Sequence, residues 1–209
     1  MYVPEAFAET RHEILIETIE DIQFGMLITA TDDDIHVSHV PFAVSESGGA
    51  ITLETHLARA NPHWKAIPSG RQTMAVFQGP QAYVRPGFYP SKSEHGKVVP
   101  TWAYIVVHAR GEAVLMQTAE DLRRHLHALT DANEQARAEP WSVNDAPAPF
   151  VDSLQRGIVG VRLSVSVIEG KWKINQNKTE ADRDGTAKGL AEAGPEGAML
   201  AAALTARTR

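Results

Sequence analysis

The sequence predicts a mainly β fold with peripheral helices, an α+β chain whose sheet closes wholly or partly into a small barrel. Two observations carry that expectation. About seven short runs rich in Val, Ile, Thr and aromatic residues are separated by Gly, Pro, Asn or Asp. Helical periodicity, by contrast, is confined to a few segments. A chain of 209 residues can bury one sizeable core, or one core with an appendage.

The elements follow in order. Thr10 and Glu13 form a capping-box pattern, and Ile14, Leu15, Ile19 and Ile22 recur at helical spacing, so a helix is expected over residues 10–22. Residues 24–30 are a short apolar run, and Asp32, Asp33 and Asp34 suit a turn. Partial alternation then marks residues 35–44, residues 45–49 read as a turn, and residues 50–55 as a strand, together an antiparallel meander. Residues 72–77 and 81–85 read as two strands parted by Gly79 and Pro80. Residues 104–116 form a longer strand in which Gly111 marks a bulge or bend. Thr118 with Asp121 opens a second helix whose buried stripe is Leu122, Leu126 and Leu129. The Pro-rich residues 139–149 predict an irregular connection, and residues 158–168 alternate most cleanly of all. From Asp184 the composition turns to Gly, Ala and Glu, with a fraying helix expected over 198–206. The organisation expected is therefore one domain over residues 1–183 and an extension, with helical character, over 184–209.

Composition narrows the function classes. Hydrophobic residues at 43% and charged residues at 22% are ordinary for a soluble globular protein. Twenty basic residues stand against 26 acidic ones, a net charge of −6. A sequence-independent grip on DNA phosphates needs clustered Lys and Arg, so this balance does not favour DNA, although a local patch survives an acidic total. The absence of cysteine excludes disulfides, thiolate metal sites and a cysteine nucleophile. The first residues have neither a basic start nor an apolar stretch of signal-peptide length, and no run approaches the roughly 18 apolar residues of a membrane span. The expectation is a soluble, cytoplasmic protein that does not enter membranes.

Three blocks carry candidate chemistry. In HLARANPHW, residues 56–64, a strand end meets a short helix with Pro62 near its start, and its unpaired N–H groups with His56 and Arg59 nearby suit a phosphate. A plain strand-to-helix junction, with Asn61 as cap and Trp64 in the core, competes with that reading. Residues 77–90 (FQGPQAYVRPGFYP) and 98–111 (VVPTWAYIVVHARG) crowd aromatics, amides, Gly and Pro into expected loops, a setting for a flat, polar-edged ligand. Gln78 and Thr101 offer donors and acceptors, while Trp102 and Tyr104 offer apolar surface; Trp102 as plain barrel core is the alternative. In WKINQNK, residues 172–178, Gln176, Asn177 and Lys178 are polar groups on an expected loop.

The nine histidines make no H-E-x-x-H pair. His125 and His127 lie two apart on a helix and point in different directions, while His39 and His108 lie on expected strands as core histidines. No Ser-His-Asp order, Walker loop or G-x-G-x-x-G occurs. No metal ligand and no catalytic residue is assigned, and whether the protein is an enzyme stays open.

These blocks, in this order from Met1 to about Asp182, resemble the PaiB-type family, known as FMN-binding negative transcriptional regulators. The resemblance implies an FMN-binding split β-barrel acting as a homodimer, with flavin in clefts shared by both subunits. It implies the FMN phosphate at His56, Arg59 and Asn61, the isoalloxazine against Gln78, Thr101, Trp102 and Tyr104, and a closing block of Gln176, Asn177 and Lys178. The chain departs from the family pattern at Ala103, where Asn is usual, and at Phe88, where Trp is usual; the lost amide predicts weakened or absent FMN binding. A regulator would draw a DNA-binding face from Arg123, Arg124, Arg137, Lys171 and Lys173. The same barrel superfamily also contains flavin-dependent oxidoreductases and haem-handling proteins, which are the alternative functions.

Overall fold

Strict alternation between buried and open positions decides which runs become sheet. In β2 (Phe24–Ala30) Gly25, Leu27 and Thr29 are buried, and in β5 (Ala50–Ala58) Ile51, Leu53, Thr55 and Leu57 are. The structure, a computed structural model, describes residues 1–67 and 72–207. Its sheet has eight strands among these residues: β1 (Ala8–Glu9), β2, β3 (Ile35–Pro41), β4 (Ala43–Ser47), β5, β6 (Gln72–Val84), β7 (Thr101–Met116) and β8 (Ile158–Lys173). The order is β3-β2-β6-β7-β8-β5-β4, with β1 pairing β8 off this path. Antiparallel registers join β2 to β3 and β6, β5 to β4 and β8, and β1 to β8. The helices are α1 (His12–Ile22), α2 (Ser91–His95), α3 (Ala119–Glu134), α4 (Ala148–Gln155), α5 (Glu180–Ala191) and α6 (Pro195–Arg207). The fold is thus mainly antiparallel β with helices, the class expected. Among the described residues, no helix is long and apolar enough to cross a membrane.

The chain divides into two compact units, and β6, β7 and β8 each run from one into the other. Unit 1 comprises Met1–Leu15, Gln78–Val107 and Glu169–Arg209; unit 2 comprises Ile16–Phe77 and His108–Ile168.

Unit 2 is built on Leu27, Leu53, Leu57, Phe77, Val159, Val161 and Leu163, none more than 2% exposed. Phe42 meets Phe77 edge-on at 5.1 Å, and Gly111 brings β7 so close to β8 that a Cβ there would lie 1.8 Å from the Ser164 carbonyl oxygen. Unit 1 buries Val84, Ala103, Val107, Ile174, Leu190, Leu200 and Leu204. In it the buried carboxylate of Glu9 accepts from Arg11 Nη2 at 2.7 Å and from Arg207 Nη1 at 2.6 Å, so β1 is tied to the end of α6. Phe88 lies along one face of α5, where Cβ atoms at Gly185 and Gly189 would sit 2.2 and 2.3 Å from Phe88 atoms.

Several boundaries differ from expectation. Residues 72–84 form one strand, not two; pairing with β2 ends at Val76, so the missing N–H of Pro80 breaks no bond on that side. The turn expected over residues 45–49 is confined to Gly48 and Gly49, at φ 58° and 81°, which lets β4 reach Ser47. β7 begins three residues early and takes in Thr101 and Trp102, and β8 runs on to Lys173. In the expected irregular stretch a 3-10 turn, Val143–Asp145, is closed by a capping box from Ser142 and Asp145, and α4 follows at once. In α1, which runs from His12 and so starts two residues past the expected Thr10, the Leu15 N–H donates to the Arg11 carbonyl at 3.2 Å. The Thr118 hydroxyl does cap α3, accepting from the Asp121 N–H at 3.1 Å. The buried stripe of α3, however, is Leu122 and His125, while Leu126 and Leu129 are half-buried. His39 is exposed and His108 half-buried, so neither is a core histidine. The Gly- and Ala-rich residues from 184 onward contain most of α5 and all of α6.

Candidate functional site

Unit 2 holds the strand-end residues. β5 delivers His56 and then Arg59, whose N–H donates to the Gly157 carbonyl at 2.7 Å. The Arg59 guanidinium spans the turn into β8: Nε donates to the Arg156 carbonyl at 3.0 Å and Nη2 to that of Ile158 at 2.9 Å. Arg59 also lines a cavity of about 370 Å³ with Gln117, Leu122, Asp152, Gln155 and Arg156. The Asn61 side chain caps the 3-10 helix Pro62–Ala66, accepting from the His63 N–H at 3.0 Å and donating to the Ser38 hydroxyl at 3.0 Å. Ser38 in turn shares a 2.9 Å hydrogen bond with His63 Nδ1, and the His63 ring stacks on His36 at 5.5 Å. Burial first, and the neighbouring His36 second, push the His63 imidazole down to about 4. Trp64 is half-buried and donates its indole N–H to the Arg59 carbonyl at 2.9 Å. The junction is therefore braced with Asn61 as cap, as the plainer reading of the sequence had it, but Trp64 is not in the core.

His56 does not join that network. Its Nδ1 lies 2.9 Å from Nε2 of His125, which is fully buried. Burial, then the charge of His56, lowers His125 to about 4, while Glu54 opposes and Arg124 adds to the displacement. His56 is itself lowered by burial. It borders a second cavity of about 540 Å³, walled by α3, residues 141–155 and the start of β8. His125 is hard to find from sequence because a histidine at helical spacing from Leu122 looks polar; its place in the i, i+3 stripe is the available signal.

Unit 1 holds the aromatic and closing-block residues. Trp102 is 53% exposed and meets Tyr83, 50% exposed, edge-on at 6.0 Å, so Trp102 is surface and not barrel core. Lys173, at the end of β8, donates to the Thr101 hydroxyl at 2.5 Å and to the Trp102 carbonyl at 2.7 Å. Lys171 and Lys173 both approach the Tyr104 ring, at 5.5 and 5.9 Å, and Lys178 lies 5.5 Å from the centre of Tyr89. Burial, then the charges of Lys171 and Lys178, lower the Lys173 ammonium. None of these three lysines forms an ion pair among the described residues. Gln176 is spent on its own turn: its Oε1 accepts from the Ile174 N–H at 3.0 Å and its Nε2 donates to the Trp172 carbonyl at 2.5 Å. Asn175, at φ 69°, is an amide that the motif pattern does not single out; it is buried and donates to the Tyr89 hydroxyl at 2.9 Å. Asn177 and Gln78 are exposed. Ala103 is fully buried, and alternation along β7 sets its Cβ on the face opposite Trp102 and Tyr104. Among the described residues no three His, Asp or Glu side chains are placed to hold a metal ion.

The architecture is that of the split-barrel class. It is similar, at a TM-score of 0.58, 15% identity and coverage of 79% of this chain and 73% of that one, to the FAD and heme binding protein from Mycobacterium smegmatis. Residues 1–167 match the family described as "Putative FMN-binding domain", and the chain belongs to that family. Two relatives match over nearly their full length. An uncharacterised protein of Emericella nidulans is 30% identical, over 94% of this chain and 92% of its own. The protease synthase and sporulation protein PAI 2 of Bacillus subtilis is 27% identical, over 87% of this chain and 85% of its own.

Proposed function

We propose that the protein is an FMN-binding split-barrel protein of the PaiB type, and that the flavin meets the aromatic and lysine cluster of unit 1. The carrying observation is the juxtaposition of an exposed Trp102–Tyr83 pair with three lysines that have no carboxylate partner among the described residues. The donor set fits the group: FMN is a dianionic phosphate joined to a flat ring, and Lys173 is already held beside Thr101 and Trp102. Trp102 and Tyr104 would supply ring surface, Gln78 and Thr101 partners for the polar ring edge, and Lys173, Lys178 and Asn177 the anionic end. Bound flavin supplies redox chemistry; the protein's part is to orient the ring and neutralise the phosphate.

The strand-end residues of unit 2 offer the phosphate a rival seat, since the two carbonyl contacts of Arg59 leave Nη1 for an anion. One calorimetric comparison separates the two seats. Lys173→Ala should weaken FMN by roughly 1.5–3 kcal/mol, the scale of a charge-assisted hydrogen bond, and leave riboflavin nearly unchanged. Arg59→Ala should leave both ligands nearly unchanged; the reverse pattern moves the phosphate to the end of β5. No heat with FMN at high micromolar concentration, and no visible absorption, rejects the flavin reading altogether.

We further propose a cytoplasmic homodimer of C2 symmetry that covers Tyr83, Val99 and Trp102, which are 50, 73 and 53% exposed. Light scattering should give twice the 22.8 kDa chain mass; the chain mass itself at micromolar concentration refutes the dimer.

A further inference from the structure

We propose that the 540 Å³ cavity of unit 2 is a second small-molecule site, which takes a neutral, flat aromatic compound bearing a carbonyl or ring-nitrogen acceptor. Its volume is in the range of small-molecule sites, and its wall is mainly apolar. Trp141, Phe150 and Leu154 stand at this wall while 47, 56 and 58% exposed, an arrangement that leaves costly apolar surface in water unless something covers it. The wall is also preformed. The Trp141 N–H donates to Glu134 at 3.1 Å, the capping box from Ser142 and Asp145 follows it, and Arg123 pairs with Asp152 of α4 at 2.5 Å.

The polar groups set the ligand's chemistry. His125 Nδ1 is buried and has no hydrogen-bond partner among the described residues. A buried N–H left without a partner costs more than a bare lone pair. The shared proton of the histidine pair therefore sits on His125 Nε2 and is donated to His56 Nδ1. That tautomer puts the proton of His56 on Nε2, the ring nitrogen left for the cavity, and makes it a donor. Gln155, 5% exposed, lines the same wall, and its Nε2 has no partner among the described residues, so it is available as a second donor. Two neutral donors in an apolar enclosure select an uncharged acceptor.

Coumarin, an aromatic lactone, and naphthalene, of similar size without an acceptor, are the probes for calorimetric titration of the whole chain. Coumarin should bind one per chain and several-fold tighter than naphthalene. Val151→Trp, which fills the cavity, should abolish both. His56→Phe should weaken coumarin by about ten-fold, the scale of one hydrogen bond to a desolvated donor, and leave naphthalene unchanged. Gln155→Leu is the parallel test should His56→Phe not fold, and it should act in the same direction. Equal affinity for the two probes overturns the proposal, as does the absence of binding at millimolar coumarin. Displacement of coumarin by FMN also overturns it, because the cavity is then the flavin's own, as does a change in assembly mass instead of probe affinity in Val151→Trp, because a second copy then covers the wall.

Discussion

Besides His56, which burial also lowers, His63 and His125 are the histidines whose protonation the fold resists most. Both are lowered from 6.5 to about 4, chiefly by burial. A histidine with a folded value below its unfolded one lends stability that is complete above the unfolded value and is lost as pH falls toward the folded one. The window for this loss is thus between about pH 6.5 and 4. Each tenfold change in proton affinity is worth about 1.4 kcal/mol, so each histidine contributes about 3 kcal/mol as an upper bound. Glu9 acts lower down. Burial alone would raise it, but the hydrogen bonds and charges of Arg11 and Arg207 outweigh that and bring it from 4.5 to about 2, so its contribution is lost over that lower range. Urea midpoints should therefore fall already between pH 7 and pH 5; a flat profile there shows that both imidazoles titrate normally. At this scale the sequence is legible unevenly. Asn61 as cap can be read because Asn before Pro is a local signal. The exposure of Trp102 cannot, because it depends on what long-range neighbours put beside it, and the burial of His125 is hinted at only by its spacing from Leu122.

Among the elements, β7 is legible from its apolar alternation, yet its true start at Thr101 is hidden, because Pro100 ends the preceding loop and Trp102 stands outward on the strand. Gly111 was expected to mark a bulge or bend. The reason for glycine there is the close approach to β8, where a Cβ would penetrate the Ser164 carbonyl at 1.8 Å. The backbone must move to admit any side chain, so Gly111→Ala should cost about 3 kcal/mol or more. Thermal unfolding checks this, and a melting temperature within a degree or two of wild type contradicts the fit of these two strands. The continuity of β6 is hidden for the opposite reason: Gly79 and Pro80 are local breaker signals, yet pairing with β2 ends at Val76, before them, and the strand runs on to Val84.

For the whole molecule, charge weighs on what the protein can grip. The arginines in and just after α3 that a DNA-binding face would use are already matched: Arg123 with Asp152, Arg124 with Asp121 and Glu54, and Arg137, past the helix end, with Glu134. Lys171 and Lys173 remain, in a chain of net charge −6. Phosphate neutralisation by so few cations gives weak, steeply salt-dependent binding. A gel shift on the protein's own upstream region should accordingly show no retardation at micromolar protein and about 150 mM salt; a salt-resistant shift would assign a DNA-reading surface that this charge distribution does not offer. The class of fold is legible because about seven alternating runs are a whole-chain signal. The proposed flavin seat is hidden in the sequence, since the lysine–tyrosine cluster joins residues from separate stretches.

The groove on α5 that receives Phe88 also sets an order of assembly. Two interior glycines cost a helix about 1 kcal/mol each relative to alanine, and α5 has only 12 residues. An isolated helix of that length is marginal even with the best formers. α5 therefore has no standing of its own during folding: its turns become worth forming only once residues 86–88 are in position to fill the glycine face. The last helices of the chain are thereby made dependents of a loop that lies about a hundred residues earlier, and they should be the first part of unit 1 to open when that loop is disturbed.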